Sequence, residues 1–185
     1  FGFLKDKNGI VAVSNRIFET QLYDMFLSEM AVNNKMYMEA STNRNQFIVK
    51  DMLQMDLVMK KFYEYYEEIY AGNDQKFIEE NGRKLFLLYL KPIINGTGNY
   101  YIEARTRDNR WTDIIVDYKG KRFIIELKIW RGEEYHVRGE RQLFEYLDYY
   151  EEKKGYLLSF NFNKNKETGI NELEFEGKRI FEVTV

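Results

Sequence analysis

Apolar positions in the first half of the chain recur at helical spacing. Ile17, Phe18, Leu22, Met25, Phe26 and Met30 form one stripe behind Ser14, so a helix capped by Ser14 is expected to run to about Val32, with its stripe in the core. The same period predicts helices over 51–70 and 74–94, the second tolerating Pro92, the only proline, as a late kink or terminal turn. After Asn95-Gly96-Thr97-Gly98 the period changes to short β-branched and aromatic runs separated by polar turns. Strands are expected near 99–107, 111–118 and 121–130, then a helix over 134–153 with Leu143, Tyr146 and Leu147 on one side. Strands over 155–162 and 178–185 follow, and the polar stretch 163–177 holds a loop with room for a short strand. This order describes an α/β (α+β) domain, a mixed central sheet with flanking helices, preceded by a helical N-terminal segment.

The run from Arg122 to Trp130 carries the first chemical signal. A period of two sets Ile124, Glu126, Lys128 and Trp130 on one face and Phe123, Ile125, Leu127 and Ile129 on the other. A carboxylate and an ammonium inside so apolar a strand need partners. A hairpin centred between Lys119 and Gly120 pairs positions that sum to 239, which brings Asp113 opposite Glu126. Facing carboxylates, with Cβ atoms about 5 Å apart, repel unless something neutralises them. A divalent cation does so, and an all-oxygen donor set suits Mg²⁺ or Mn²⁺. The plainer alternative is a Glu126–Lys128 ion pair on a solvated sheet face with Asp113 incidental. Gln142 and Tyr146, at i and i+4, share a face of the following helix.

Composition narrows the classes. Apolar residues make up 44% and charged residues 31% of 185, as in globular proteins, and no apolar run approaches the roughly 18 residues of a membrane span. With no signal-peptide pattern at the start, a cytoplasmic protein is expected. There is no cysteine, so disulfides and thiolate chemistry are excluded, and His136, the only histidine, reads as a surface residue at a helix start. Net charge is −2, so the whole chain lacks the footprint of a strongly basic nucleic-acid binder. Between Arg105 and Arg141 basic residues modestly outnumber acidic ones, as they also do on many solvated sheet edges.

Asp113, Glu126-Leu127-Lys128 and Gln142-Leu143-Phe144-Glu145-Tyr146 together resemble the D…(D/E)XK…QxxxY pattern of the PD-(D/E)XK nuclease superfamily, in particular its RecB-like branch. The predicted order also resembles that family's restriction-endonuclease-like αβββαβ core. Further stretches, Glu79-Glu80-Asn81-Gly82-Arg83, Leu88 to Gly96, Glu126 to Trp130 and Gly155 to Phe160, resemble bacterial proteins in which such a domain follows an AAA-type ATPase-like domain. The start, Gly2 to Phe18, is similar to the tail of that ATPase-like part, so residues 1–72 are expected to be a helical tail and 73–185 the nuclease-like domain of a longer protein. No Walker A sequence is present, and ATP is not expected to bind.

The resemblance implies a role for each matching residue. Asp113, Glu126 and the backbone carbonyl of Leu127 would hold Mg²⁺ or Mn²⁺, and Lys128 would orient or deprotonate water and stabilise charge on phosphate. Gln142 would contact substrate or water, supported by Tyr146. Glu80, with Glu79 next, is the candidate glutamate of the first core helix, although acids near a helix N-terminus are also favoured by the macrodipole. Arg83 is a candidate partner of Glu80, and both Arg83 and Arg105 are supporting or substrate-binding candidates. Two registers of the first hairpin stay open. One sets Ala104 opposite Asp113 and turns Glu103 away; the other sets Arg105 opposite Asp113 and keeps Glu103 on that face. Trp130 reads as a packing residue rather than a stacking platform. Thr112 stands where the family name has proline, a variable position.

The expected activity is therefore metal-dependent hydrolysis of nucleic acid, DNA before RNA, with an ATPase-like domain as neighbour, no membrane, and a homodimer left open. A nuclease-like module that binds nucleic acid or protein without cutting is the alternative. A regulatory or oligomerising appendage, suggested by Tyr63, Tyr65, Tyr66, Tyr149 and Tyr150, is the third reading.

Overall fold

The structure is a computed structural model that describes residues 3–7, 9–70, 79–105, 111–130, 132–163 and 167–185. The chain divides into two compact units, Phe1–Asn34 and Lys35–Val185, so the division falls after Asn34, whereas the sequence pattern suggests one at 72/73. In the first unit, β1 (Leu4–Lys7) and β2 (Ile10–Val13) form an antiparallel hairpin followed by helix α1 (Arg16–Ala31). The N-cap of α1 is Asn15, not Ser14: the Asn15 Oδ1 accepts the Phe18 N–H at 3.1 Å, an amide cap one residue later than expected. The α1 stripe is not the core its spacing predicts, since Ile17, Leu22, Met25, Phe26 and Met30 are all exposed. So short a unit cannot bury a whole helix face against one two-stranded hairpin.

The second unit opens with a helix that its polar composition conceals, α2 (Lys35–Thr42), whose buried Met36 and Ala40 stand one turn apart. A short 3-10 helix (Arg44–Phe47) leads into β3 (Ile48–Val49) and β4 (Met52–Leu53). Lys50 and Asp51, both at positive φ, make the two-residue turn between them, and so α3 begins at Met55 (Met55–Tyr70) rather than at Asp51. Helix α4 (Glu79–Ile94) carries Pro92 in its last turn, as expected; positions 74–78 lie outside the described residues.

From there the order is α4, β5 (Gly98–Arg105), β6 (Trp111–Tyr118), β7 (Lys121–Ile129), α5 (Glu133–Tyr149), β8 (Lys154–Phe160), β9 (Gly169–Phe175) and β10 (Lys178–Thr184). These strands make one mixed sheet ordered β5-β6-β7-β8-β10-β9. The β7-α5-β8 crossover and the β8-β10 pair are parallel, and the other neighbours are antiparallel. β9 is a complete seven-residue strand. Its mostly exposed edge position leaves little apolar alternation in the sequence.

Helices cover both faces of the sheet. On one face Leu143, Tyr146 and Leu147 of α5 pack against Ile124, Leu157 and Ile180. On the other, Phe62 of α3 meets Phe86 and Tyr89 of α4 and Phe160 of β8, with ring centroids 5.2 to 6.4 Å apart. Asp56 anchors α3 to β8, accepting from Lys154 Nζ at 2.7 Å and the Tyr156 hydroxyl at 2.9 Å. Among the described residues no helix is long and apolar enough to cross a membrane.

Close approach of α4 to β8 requires Gly82, where a Cβ would overlap the Phe160 ring. Gly82→Ala is expected to lower stability by about 1–3 kcal/mol, the usual cost of overpacking. A urea midpoint equal to that of the unsubstituted chain would show that the helix shifts freely on the sheet.

Candidate active site

The β6–β7 hairpin fixes the centre. Its pairs run from Tyr118↔Lys121 to Ile114↔Ile125, all summing to 239, around a turn of Lys119 and Gly120 at positive φ. One step beyond the last pair, Asp113 Oδ2 accepts the Leu127 N–H at 2.8 Å. Asp113 Oδ1 accepts from Arg83 Nη2 of α4 at 3.0 Å, in an ion pair whose two side chains are about nine-tenths buried. Glu126 is 1% exposed, and Lys128 Nζ lies 2.7 Å from its Oε1 as a charge contact rather than an aligned hydrogen bond.

Helix α5 completes the group. Lys128 Nζ donates to Gln142 Oε1 at 3.4 Å, and Gln142 Nε2 donates to the Tyr146 hydroxyl at 2.7 Å. Tyr146 is 1% exposed and shares a helix face with Gln142, which links it to Lys128. Asp113, Glu126, Lys128, Gln142, Tyr146 and Arg83 are thus brought together. Arg83 serves Asp113, a partner that its helical spacing from Glu80 does not suggest.

The side chains of Glu79, Glu80, Glu103, Arg105 and His136 lie outside the described residues. The backbone does decide the first hairpin. Its pairs sum to 216, as in Ile102↔Ile114 and Ala104↔Thr112, which is neither of the two expected registers and sets position 103 opposite 113.

Two contributors carry weak sequence signals. Gly139, three residues before Gln142, lets α5 settle on the stem of Lys128; a Cβ there would stand 3.1 Å from Lys128 Cγ. A glycine inside an amphipathic helix is the available clue. Ser159 is the register partner of Lys128, 1% exposed, and its Oγ has no hydrogen-bond partner among the described residues. It is the small polar residue in the run Leu157-Leu158-Ser159-Phe160.

Facing carboxylates suggest a need for a divalent ion, yet Asp113 and Glu126 are already balanced by Arg83 and Lys128. Among the described residues no three histidine or acidic side chains gather to hold a metal. The Asp113 and Glu126 carboxylates are hard oxygen donors of the kind that would suit Mg²⁺ or Mn²⁺. Burial pushes the Asp113 carboxyl above the usual carboxylate range, a shift that the Leu127 N–H, Arg83 and Lys128 oppose without cancelling. Burial likewise raises the Tyr146 hydroxyl, opposed by its Gln142 hydrogen bond.

No family model matches the chain, and no curated protein matches it.

Arg83→Met strands a buried carboxylate, so a loss of about 3–5 kcal/mol in urea unfolding is expected. The double variant Arg83→Met/Asp113→Asn should lose clearly less than the sum of the two single changes. Strict additivity would show that the two side chains do not interact.

Asp113 also gives stability a pH dependence. Its folded pKa is raised, so between the unfolded and folded values the native state binds more protons. The contribution is fully present below the unfolded pKa and is lost as pH rises through the folded one. In EDTA, unfolding free energy from about pH 4 to pH 7 should therefore fall relative to that of Asp113→Asn. Parallel profiles would contradict the shift.

Proposed function

We propose that this chain is a metal-dependent nuclease domain of the PD-(D/E)XK kind that hydrolyses phosphodiester bonds of nucleic acid, DNA before RNA. The observation that carries the reading is the cluster of Glu126, Lys128, Gln142 and Tyr146, joined by an ion pair and hydrogen bonds, with Asp113 held one register step beyond the β6–β7 ladder by the Leu127 N–H and Arg83. The element order α4-β5-β6-β7-α5-β8 supports it as a restriction-endonuclease-like core. The ATPase-like neighbour implied by the resemblance, and the cytoplasmic setting expected from the sequence, belong to the same proposal.

Bound Mg²⁺ or Mn²⁺, held by Asp113, Glu126 and the Leu127 carbonyl, would supply Lewis acidity to the phosphate and lower the pKa of water. The chain's own residues do the rest. Arg83 and the Leu127 N–H fix the Asp113 carboxylate, while Gln142, held by Tyr146, fixes the Lys128 ammonium. A phosphate at this site takes Lys128 as a counter-charge and leaves Glu126 to a cation.

One observation favours a second reading, a nuclease-like module that binds without cutting: the two carboxylates are neutralised by Arg83 and Lys128 with no ion required.

Cleavage of single-stranded, duplex and branched DNA under Mg²⁺ or Mn²⁺ titration separates the two. The unsubstituted chain should cut, and Asp113→Ala and Lys128→Ala should each cut at least about a hundredfold more slowly, as when a charge-stabilising group is removed from a catalytic site. Equal rates in both variants would sink the proposed centre. Metal-independent binding without any cleavage would favour the second reading.

A further inference from the structure

Helix α1 is apolar on two sides. Leu27 is fully buried, whereas Leu22, Phe26 and Met30, spaced i, i+4 and i+8, make a ridge whose members are 37%, 49% and 41% exposed. Met25, 47% exposed, stands beside the ridge, and the exposed Glu29 borders it. The ridge runs over about two turns of the helix. A helix that carries apolar residues beyond the side it buries within its own chain is the pattern of one that a further surface covers.

The size and symmetry of the ridge select its occupant. Free side chains of this size present on the order of 150–200 Å², so Leu22, Met25, Phe26 and Met30 leave about 300 Å² of apolar surface per copy. Patches of this size mark interaction sites. Two of them make about 600 Å², which in an interface about 60% apolar corresponds to about 1,000 Å² in all. That is the least a specific pair of proteins buries, so the ridge set against its own copy suffices for a weak dimer. An antiparallel pairing with a two-fold axis at Phe26 is self-complementary. Phe26 then meets Phe26 of the second copy, and Leu22 of each copy meets Met30 of the other. The same pairing sets Asp24 opposite Ser28 and Glu29 opposite Tyr23, so neither acid faces an acid.

We infer that the ridge of Leu22, Phe26 and Met30 is the interface of a homodimer in which two α1 helices pack antiparallel about a two-fold axis at Phe26. The inference stands apart from the nuclease reading, since it uses no residue of the candidate active site. Apolar side chains carry the contact and Glu29 lies at its rim, so added salt does not break it. The helical spacing of the α1 stripe then does mark a buried face, one buried between two copies rather than inside one.

Sedimentation equilibrium of the whole chain, from about 1 to about 300 µM, tests the pairing. The mass should rise with concentration from 22.4 kDa towards twice that value, with a Kd on the order of 10–100 µM. Phe26→Asp, at a half-exposed position, should raise the Kd at least about tenfold, whereas Ile17→Asp, exposed but off the ridge, should leave it within about twofold. Circular dichroism checks that each variant folds. Leu22→Lys and Met30→Glu should each weaken association at least about tenfold, and the two together should associate at least about threefold more tightly than either alone, because each lysine then faces a glutamate. If Phe26→Asp misfolds, the double variant against its two single parents still decides. A single-copy mass at every concentration overturns the inference and leaves the ridge to a different partner. A dimer that Phe26→Asp does not weaken, or one that about 1 M NaCl dissociates, overturns this interface.

Discussion

The buried ion pair between Arg83 and Asp113 is the constraint on which the rest of the centre depends. It joins the start of α4 to the start of β6, and the same carboxylate is held by the Leu127 N–H of β7. One side chain thereby fixes three elements at the place where the regular β6–β7 ladder stops. Removing two charges from water is costly, and a pair of this kind rarely adds net stability over an apolar substitute. Its effect here is positional, because the geometry of Asp113 relative to Glu126 and Lys128 follows from it.

Among the described side chains the four charges at the centre cancel, which changes the meaning of the carboxylate pair. Two facing acids alone would demand a cation, but Arg83 and Lys128 supply the compensation internally. On the proposed reading, a divalent ion would add positive charge that an incoming phosphate balances. Metal and substrate binding would be cooperative for that reason, each relieving the charge the other brings.

Packing sets the precision of this arrangement. Gly82 brings α4 against Phe160, Gly139 brings α5 against the stem of Lys128, and Gly155 accommodates Leu143. Each glycine is a point where a helix lies closer to the sheet than a side chain would permit. Gln142 and Tyr146 reach the centre because α5 is seated this low, with Leu143 and Leu147 in the apolar cluster beneath it.

Much of this was legible in the residues themselves. The alternation from Arg122 to Trp130 and the Lys119-Gly120 turn determined the 239 register, because a two-residue turn and a period of two leave a strand pair little freedom. Polar or short elements left weaker traces: α2, the Lys50-Asp51 turn and the edge strand β9 bury too little apolar surface to impose a pattern. In the centre, the sequence determined that Asp113, Glu126 and Lys128 approach one another, and that Gln142 and Tyr146 share a helix face. Only the tertiary structure decided that Arg83 is the counter-charge of Asp113, that the α1 stripe is exposed, and that Trp130 and Glu182 line one cavity. The physical reason is range: turn chemistry and strand period act between neighbours, whereas charge compensation and cavity shape depend on elements that only packing brings together.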